Sequence, residues 1–323
     1  MQSDRTVSRV VRRALHGVLL LDKPLGLSSN DALQKAKWLL RAEKAGHTGT
    51  LDPLATGVLP LCFGAATKFS QLHLDADKTY EAVARLGVVT STADAEGSVV
   101  RQRAVQVTNS DVARVADMFR GVISQVPPMY SALKRDGKAL YEYARAGLDV
   151  EREARTVSIR SLELSLQLEA QAGPDLQLRV CCSKGTYIRT LAEDIGEALG
   201  CGAHLVALRR VATGDFTIGQ CVTLAALEHM AEPQRVQRLM PVAALLSGHS
   251  RVTLSAEDAG RFLSGMRRRG AWPDAEQVAV YATEPEALLG TAHVRGGELI
   301  PGRLLSPIEI SQVLAAASNA AAT

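Results

Sequence analysis

The amino-acid sequence predicts an α+β fold: a mixed, largely antiparallel sheet flanked by helices, followed by a small β-rich second domain. Three observations predict it. Helical and strand periodicities mingle without a regular βαβ repeat, which argues against a doubly wound parallel sheet. The 323 residues exceed what one core usually organises. Around Leu246–Ser250 the pattern changes to short strands and turns rich in glycine. The expected boundaries are a basic arm at 1–15, a large domain at 16–248, a second domain at 249–314 and a tail at 315–323.

In chain order, the arm carries Arg5, Arg9, Arg12 and Arg13. That charge suits an organellar transit peptide, but Asp4 and the lack of serine enrichment favour a solvated arm. The apolar run Val18–Leu21 stops at Asp22 and Lys23, far short of the roughly 20 residues of a membrane span, and reads as a buried strand. Lys23 to Ser29 is a turn-rich connection, and Ser29-Asn30-Asp31 offers caps for an amphipathic helix to about Leu40. Gly46 to Gly57 holds three glycines and one proline in twelve residues, too many breakers for a helix or a central strand, so a loop is expected. Beyond it, Thr79–Leu86 alternates as a strand, Asp111–Phe119 has helical spacing, and Val157–Leu168 and Leu176–Cys182 read as strands. The Gly185-Thr186 turn opens a helix to about Leu199. After the Leu246–Ser250 connection, Arg251 to about Ile308 has its own strand-and-turn pattern. The tail from Ala315 reads as a frayed helix end or a disordered segment.

Composition narrows the function classes. With 46% apolar and 22% charged residues the chain is an ordinary folded protein, and no membrane association is expected. Its 37 Lys+Arg against 34 Asp+Glu give only +3, so a polyanionic partner must be met by a local basic face. Five cysteines, an odd count without a C-x-x-C pair, argue against a disulfide framework and fit a reducing cytoplasm. Cys181 and Cys182, adjacent in an expected strand, should face opposite ways as inert thiols. Seven histidines without H-x-x-x-H spacing, and no G-x-x-x-x-G-K-[ST], imply neither metal nor nucleotide, and no cofactor is expected.

The chemistry centres on Asp52. Pro53 disfavours a helical conformation at the residue before it and keeps that carboxylate from capping a helix of its own. The side chain is then free to project as a reacting group, or to satisfy nearby backbone amides as an ordinary turn aspartate. Residue types alone leave both readings open.

The loop Gly46-His47-Thr48-Gly49-Thr50-Leu51-Asp52-Pro53-Leu54-Ala55-Thr56-Gly57 resembles the signature loop of TruB-type pseudouridine synthases. Leu21–Ser29, Lys78–Tyr80 with Thr90–Gly97, Val126–Arg145 and Ser183–Gly196 resemble the same family in the same order. The resemblance covers roughly residues 17 to 230, and twelve residues in register are highly specific. It implies the pseudouridine synthase fold, with a second half only loosely similar to a PUA-like RNA-binding domain. It further implies a cofactor-free enzyme that flips uridine 55 out of the T-loop in the tRNA T-arm and isomerises it to pseudouridine; a monomer with no required protein partner is the default expectation beside it.

Carried over residue by residue, the resemblance makes Asp52 the nucleophile and Arg189, in Ser183-Lys184-Gly185-Thr186-Tyr187-Ile188-Arg189-Thr190, the arginine paired with it. Tyr80 matches the tyrosine stacked on the target uracil, Tyr187 a tyrosine that contacts substrate, and Leu208 an apolar residue that keeps water from the sugar. His47 matches the histidine that enters the RNA where the flipped base had been. Lys23 lies on the first motif, supporting the loop or binding RNA. Without the resemblance each has a plainer reading: a surface ion pair for Arg189, packed aromatics for the tyrosines, a core leucine for Leu208 and a turn cap for His47. Asp94 also lies in a family motif, yet is equally a turn former. The basic arm then has reason to face RNA, and Arg267-Arg268-Arg269 with Arg261 to meet acceptor-stem phosphates, although such a run is ordinarily a solvated surface. Two alternatives share parts of this reading: the archaeal and eukaryotic relatives that work in a guide-RNA particle, disfavoured by the absence of long basic tails, and an RNA-folding factor whose main effect is remodelling.

Overall fold

The computed structural model describes residues 11–170 and 173–321; Arg5 and Arg9 of the expected arm, and the end of the tail, lie outside the described residues. Strand β1 (Gly17–Lys23) carries an unbroken apolar run because both its faces are covered. Leu19 and Leu21 join the main core, while Val18 and Leu20 join a second cluster shared with the C-terminal part of the chain. Helix α1 (Ser29–Leu39) is capped by Ser28, whose Oγ accepts from the Asp31 N–H at 3.1 Å, one residue earlier than the caps expected.

The expected loop is shorter than its breakers suggest, because strands invade both its ends: β2 (Ala45–His47) and β3 (Ala55–Phe63) leave residues 48–54 between them. Gly57, read as a breaker, lies inside β3 at φ +103°, and a Cβ there would come within 2.2 Å of the Arg210 carbonyl oxygen on the next strand. The glycine therefore serves close strand approach. Gly57→Ala is expected to lose about 3 kcal/mol or more of stability and roughly 10 °C in melting midpoint, read by thermal unfolding. Pro60 is tolerated because its polar edge turns away from β1: its carbonyl accepts from the Thr48 N–H at 3.0 Å, where no strand of the sheet pairs with it.

The remaining principal elements of the large sheet's layer are β4 (Lys78–Leu86), α2 (Asn109–Met118), β5 (Gly121–Gln125), β6 (Arg155–Gln167), β7 (Asp175–Cys182), α3 (Ile188–Ala198), β8 (Ala203–Thr213) and β9 (Val222–Thr223). Their order across the sheet is β9-β1-β3-β8-β4-β7-β6-β5, with β2 and the short strand Phe216–Thr217 attached beside β3 and β8. The β9–β1 and β8–β3 pairs are parallel and the other ladders antiparallel, so the sheet is mixed and largely antiparallel as expected. Alternation in β4 sends Tyr80, Ala82, Ala84 and Leu86 inward and leaves Glu81 exposed. The same alternation buries Cys182 and leaves Cys181 half-buried. Apolar faces of α1, α2 and α3 close the main core over the sheet.

A second sheet runs β10 (Ser250–Leu254), β12 (Ala275–Thr283), β13 (Glu286–Arg295), β14 (Glu298–Leu304) and β11 (Arg268–Arg269) in that spatial order, with α4 (Ala256–Leu263) packed on it. Helix α5 (Pro307–Ala321) continues the chain through the expected tail. This unit is docked on the back of β1 and β3: Leu245, Leu246, Ala279, Leu288 and Leu305 share one apolar cluster with Val18, Leu20 and Val58. Lys68 Nζ adds bonds to Glu309 Oε2 at 2.6 Å and the Leu304 carbonyl at 2.9 Å. The triple-arginine run is paired within the chain, Arg267 and Arg269 with Glu298 and Arg268 with Asp258. No described helix is long and apolar enough to cross a membrane.

Candidate active site

The segment that carries Asp52 is pinned on both sides. Ser29 Oγ donates to the Leu51 carbonyl at 2.9 Å and accepts from the Leu51 N–H at 2.8 Å, while the Gly26 N–H donates to the Pro53 carbonyl at 2.9 Å. Leu51 is buried and the Asp52 carbonyl accepts from the Ala55 N–H at 3.0 Å. With its backbone fixed at three consecutive residues, Asp52 keeps a carboxylate that is 40% exposed to a cleft.

Arg189 reaches this carboxylate from the first turn of α3. A cation there opposes the helix dipole, and the turn contains no acidic residue to balance it. The balance comes from elsewhere in the chain. Nη2 lies 2.7 Å from Asp52 Oδ2 and donates to the Tyr130 carbonyl at 2.7 Å; Nη1 donates to the Thr92 carbonyl at 3.3 Å and stands 3.4 Å from Asp94 Oδ2. A guanidinium with only 4% exposure at Arg189 is thereby satisfied by four oxygens in a fork that a point-like ammonium cannot reproduce. The loop at 50–53, the turn at 92–94 and the connection at 130 all meet on this one side chain. Gln125, itself buried, sets the start of α3 by accepting from the Tyr187 N–H at 3.1 Å.

Asp94 is both things its sequence context allowed. Its Oδ1 accepts from Thr92 Oγ1 and from the Glu96 N–H, as a turn former does, and its Oδ2 faces Arg189. The second carboxylate is 3% exposed and holds the guanidinium from behind.

A cleft of about 630 Å³ contains Asp52, Tyr80, Tyr187, Arg189 and Leu208 together on its walls. Tyr80 extends from β4 beneath it with 9% exposure, and burial pushes its phenol pKa up, opposed by the neighbouring Arg210. Burial likewise raises the half-buried Tyr187 phenol. Leu208, on β8 and paired with Ala55 of β3 and Ala82 of β4, contributes an apolar wall.

Two cations in this cleft went unnoticed in the sequence. Arg210 is 1% exposed, donates from Nε to the Val58 carbonyl at 2.7 Å and from Nη2 to the Gly49 carbonyl at 3.2 Å, and so ties β8 to the loop that carries Asp52. Lys78 donates to the carbonyls of Leu74 at 2.6 Å and Ala76 at 2.5 Å; burial, then Arg210, lowers its pKa to about 8.

Lys23 requires a correction. Its side chain has no exposed surface, and Nζ donates to the Pro24 carbonyl at 2.9 Å and the Leu27 carbonyl at 2.6 Å. Burial lowers its pKa to about 8, with Asp52 opposing and Arg210 assisting. A side chain so enclosed closes the turn before α1 from within. His47 stands on edge strand β2 outside the cleft walls; burial and then Arg210 lower its pKa, and its buried Nδ1 has no hydrogen-bond partner among the described residues.

A larger, apolar groove of about 840 Å³ opens on the outer face of the sheet beside β4, β6, β7 and β8. Two carboxylates line it: Glu81, half-exposed and paired with Arg179, and the exposed Glu163. The smaller cleft is the one that sets a carboxylate against a buried guanidinium beside two tyrosines.

Three family models match the chain in succession: "TruB family pseudouridylate synthase (N terminal domain)" over residues 37–188, "tRNA pseudouridylate synthase B C-terminal domain" over 189–247, and "Pseudouridine synthase II TruB, C-terminal" over 250–305. The chain is 63% identical over 311 residues to the tRNA pseudouridine synthase B of Verminephrobacter eiseniae, covering 95% of this chain and 94% of that one. It is 63% identical over 300 residues to the protein of the same name from Ralstonia nicotianae, covering 91% and 95%. Among solved structures it resembles a chain of a Cbf5–Nop10–Gar1 complex at 26% identity and a TM-score of 0.70, covering 94% and 89%. It also resembles a chain of an H/ACA ribonucleoprotein bound to a substrate RNA containing 2′-deoxyuridine, at 25% identity and a TM-score of 0.67, covering 90% and 86%.

Proposed function

The chain belongs to the TruB family of pseudouridylate synthases, and on that premise we propose that Asp52 and Arg189 perform the isomerisation of uridine 55 in the T-loop of tRNA. The protein is an enzyme of the tRNA pseudouridine synthase class. The observation that supports the assignment of residues is the 2.7 Å pair between a half-open carboxylate and a buried guanidinium, in one cleft with two tyrosines and a leucine.

The reaction breaks the N1–C1′ bond, turns the uracil and joins C5 to C1′; N1 gains a proton and the C5 proton leaves to solvent, so mass is unchanged. Cleavage develops positive charge at C1′, which an ionised Asp52 stabilises, either by trapping the sugar covalently or by removing a C2′ proton to give a glycal. Arg189 balances the charge of the carboxylate and aims it. Tyr80 stacks on the detached uracil while it rotates, Tyr187 contacts the nucleoside, and Leu208 excludes water from C1′. His47, outside the cleft, fills the gap that the everted base leaves in the RNA, while Lys23 supports the loop from within. No step needs a cofactor, and five unbridged cysteines suit a cytoplasmic enzyme.

The test is tritium release from tRNA labelled at uracil C5, with purified protein and no added cofactor. About one label lost per tRNA from position 55 is the expected result, and absence of release at that position ends the proposal.

A further inference from the structure

We infer that the C-terminal end of α1 carries a second RNA-binding site, in which the exposed Trp38 indole stacks on an unpaired base while Arg12, Lys37 and Arg41 take the adjoining phosphates. The inference rests on the tRNA activity proposed above. Trp38 is 68% exposed and Val11 beside it 81% exposed, in a groove of about 800 Å³ whose charged lining is Arg12, Lys37 and Arg41 against Glu43 alone. An aromatic plane set among cations is the arrangement that holds single-stranded nucleic acid: every base offers a face to stack on and every nucleotide a phosphate to neutralise.

The backbone supplies a second, independent observation. The Ala42 N–H donates to the Lys37 carbonyl and the Arg41 N–H to the Trp38 carbonyl, each at 3.0 Å, so α1 ends in a Schellman turn whose left-handed position is Arg41 at φ +51°. Glycine fits that position without strain, yet an arginine occupies it. Arg41 makes one 3.5 Å pair to Glu232, which also receives Arg13 at 3.0 Å; these are partly exposed pairs that an RNA phosphate can replace at little cost.

The placement suits a substrate already held at Asp52. The N-terminal end of α1 is bonded to the catalytic loop through Ser29 and Leu51, and eleven helical residues place the Trp38 end roughly 16 Å away. Gln34, one turn before Trp38 and exposed, lines the same groove.

The experiment compares tRNA binding and turnover for the full-length wild type, Trp38→Ala, Trp38→Phe and Arg41→Gln. Trp38→Ala is expected to weaken tRNA binding by about fivefold or more, with kcat at saturating tRNA unchanged and Trp38→Phe restoring most of the loss. Arg41→Gln is expected to flatten the salt dependence of binding by about one unit of log–log slope, which Trp38→Ala leaves alone. In a Trp272→Phe background, where the remaining tryptophan is Trp38, tRNA should quench the emission. Unchanged tRNA affinity for Trp38→Ala, with no quenching, overturns the site; so does a dimer of the wild type that Trp38→Ala dissolves, which would make the patch a protein interface. Wild-type turnover measured alongside separates these failures from failure of the enzymatic reading, since only the latter removes label release from unmodified tRNA.

Discussion

Asp52→Asn abolishes label release, lowering the single-turnover rate by about 10³-fold or more, while tRNA binding stays within about tenfold of wild type. The amide fills the volume of the carboxylate and touches the same neighbours, so contact area with RNA is preserved. What disappears is the negative charge that faces C1′ as the glycosidic bond breaks, an interaction stronger in the transition state than in the bound substrate, whose loss therefore falls on the chemical step. A 10³-fold loss corresponds to about 4 kcal/mol of barrier, within reach of a single preorganised charge in a closed site. Single-turnover label release together with filter binding gives both numbers. Near-normal turnover would remove Asp52 from the reaction, and joint collapse of binding and rate would make it a folding residue.

The parts of this site legible in the sequence are those fixed by short segments. The breakers between Gly46 and Gly57 announce irregular backbone, and Pro53 says that Asp52 is not a helix cap, but only the family resemblance ranks Asp52 above an ordinary turn residue. Arg189 stands in a helix that any amphipathic pattern finds, yet the partners that satisfy it, from Tyr130 to Asp52, lie 59 to 137 residues away in sequence, and no local rule supplies them. Strand β3 was missed because Gly57 and Pro60 are breakers by type, whereas the reasons for their acceptance, contact with Arg210 and the gap beside Thr48, belong to other strands. Arg209 and Arg210 make the same point with identical residue types. Alternation in β8 sends Arg209 to pair with Asp22 at 2.7 Å and Arg210 into the core beneath the Asp52 loop, and composition cannot say which is which until the strand's faces are known. For Lys23 the motif leaves loop support and RNA contact both open, and the carbonyls of Pro24 and Leu27 that hold it inside become visible only when the turn is closed.

Arg189→Lys tests whether the charge of that side chain suffices or its shape matters. Lysine keeps the charge and nearly the reach, but it offers three donors from one nitrogen where Arg189 serves Asp52, Tyr130, Thr92 and Asp94 from two separate arms. The ammonium can favour one carboxylate at the expense of the other, and Asp52 then loses its aim. Misplacement of a reacting group by about 1 Å is worth roughly 10²-fold, so the expected loss is about 10²- to 10³-fold in single-turnover rate, with tRNA affinity within about threefold because the guanidinium is buried away from the RNA surface. The companion variant Asp94→Asn separates positioning from charge. If Asp94 acts by holding Arg189, its replacement slows the wild type but adds little in the Arg189→Lys background, a non-additivity read from the double-mutant cycle. Additive losses would assign Asp94 a role of its own, and full activity of Arg189→Lys would show that a nearby positive charge is all the carboxylate needs.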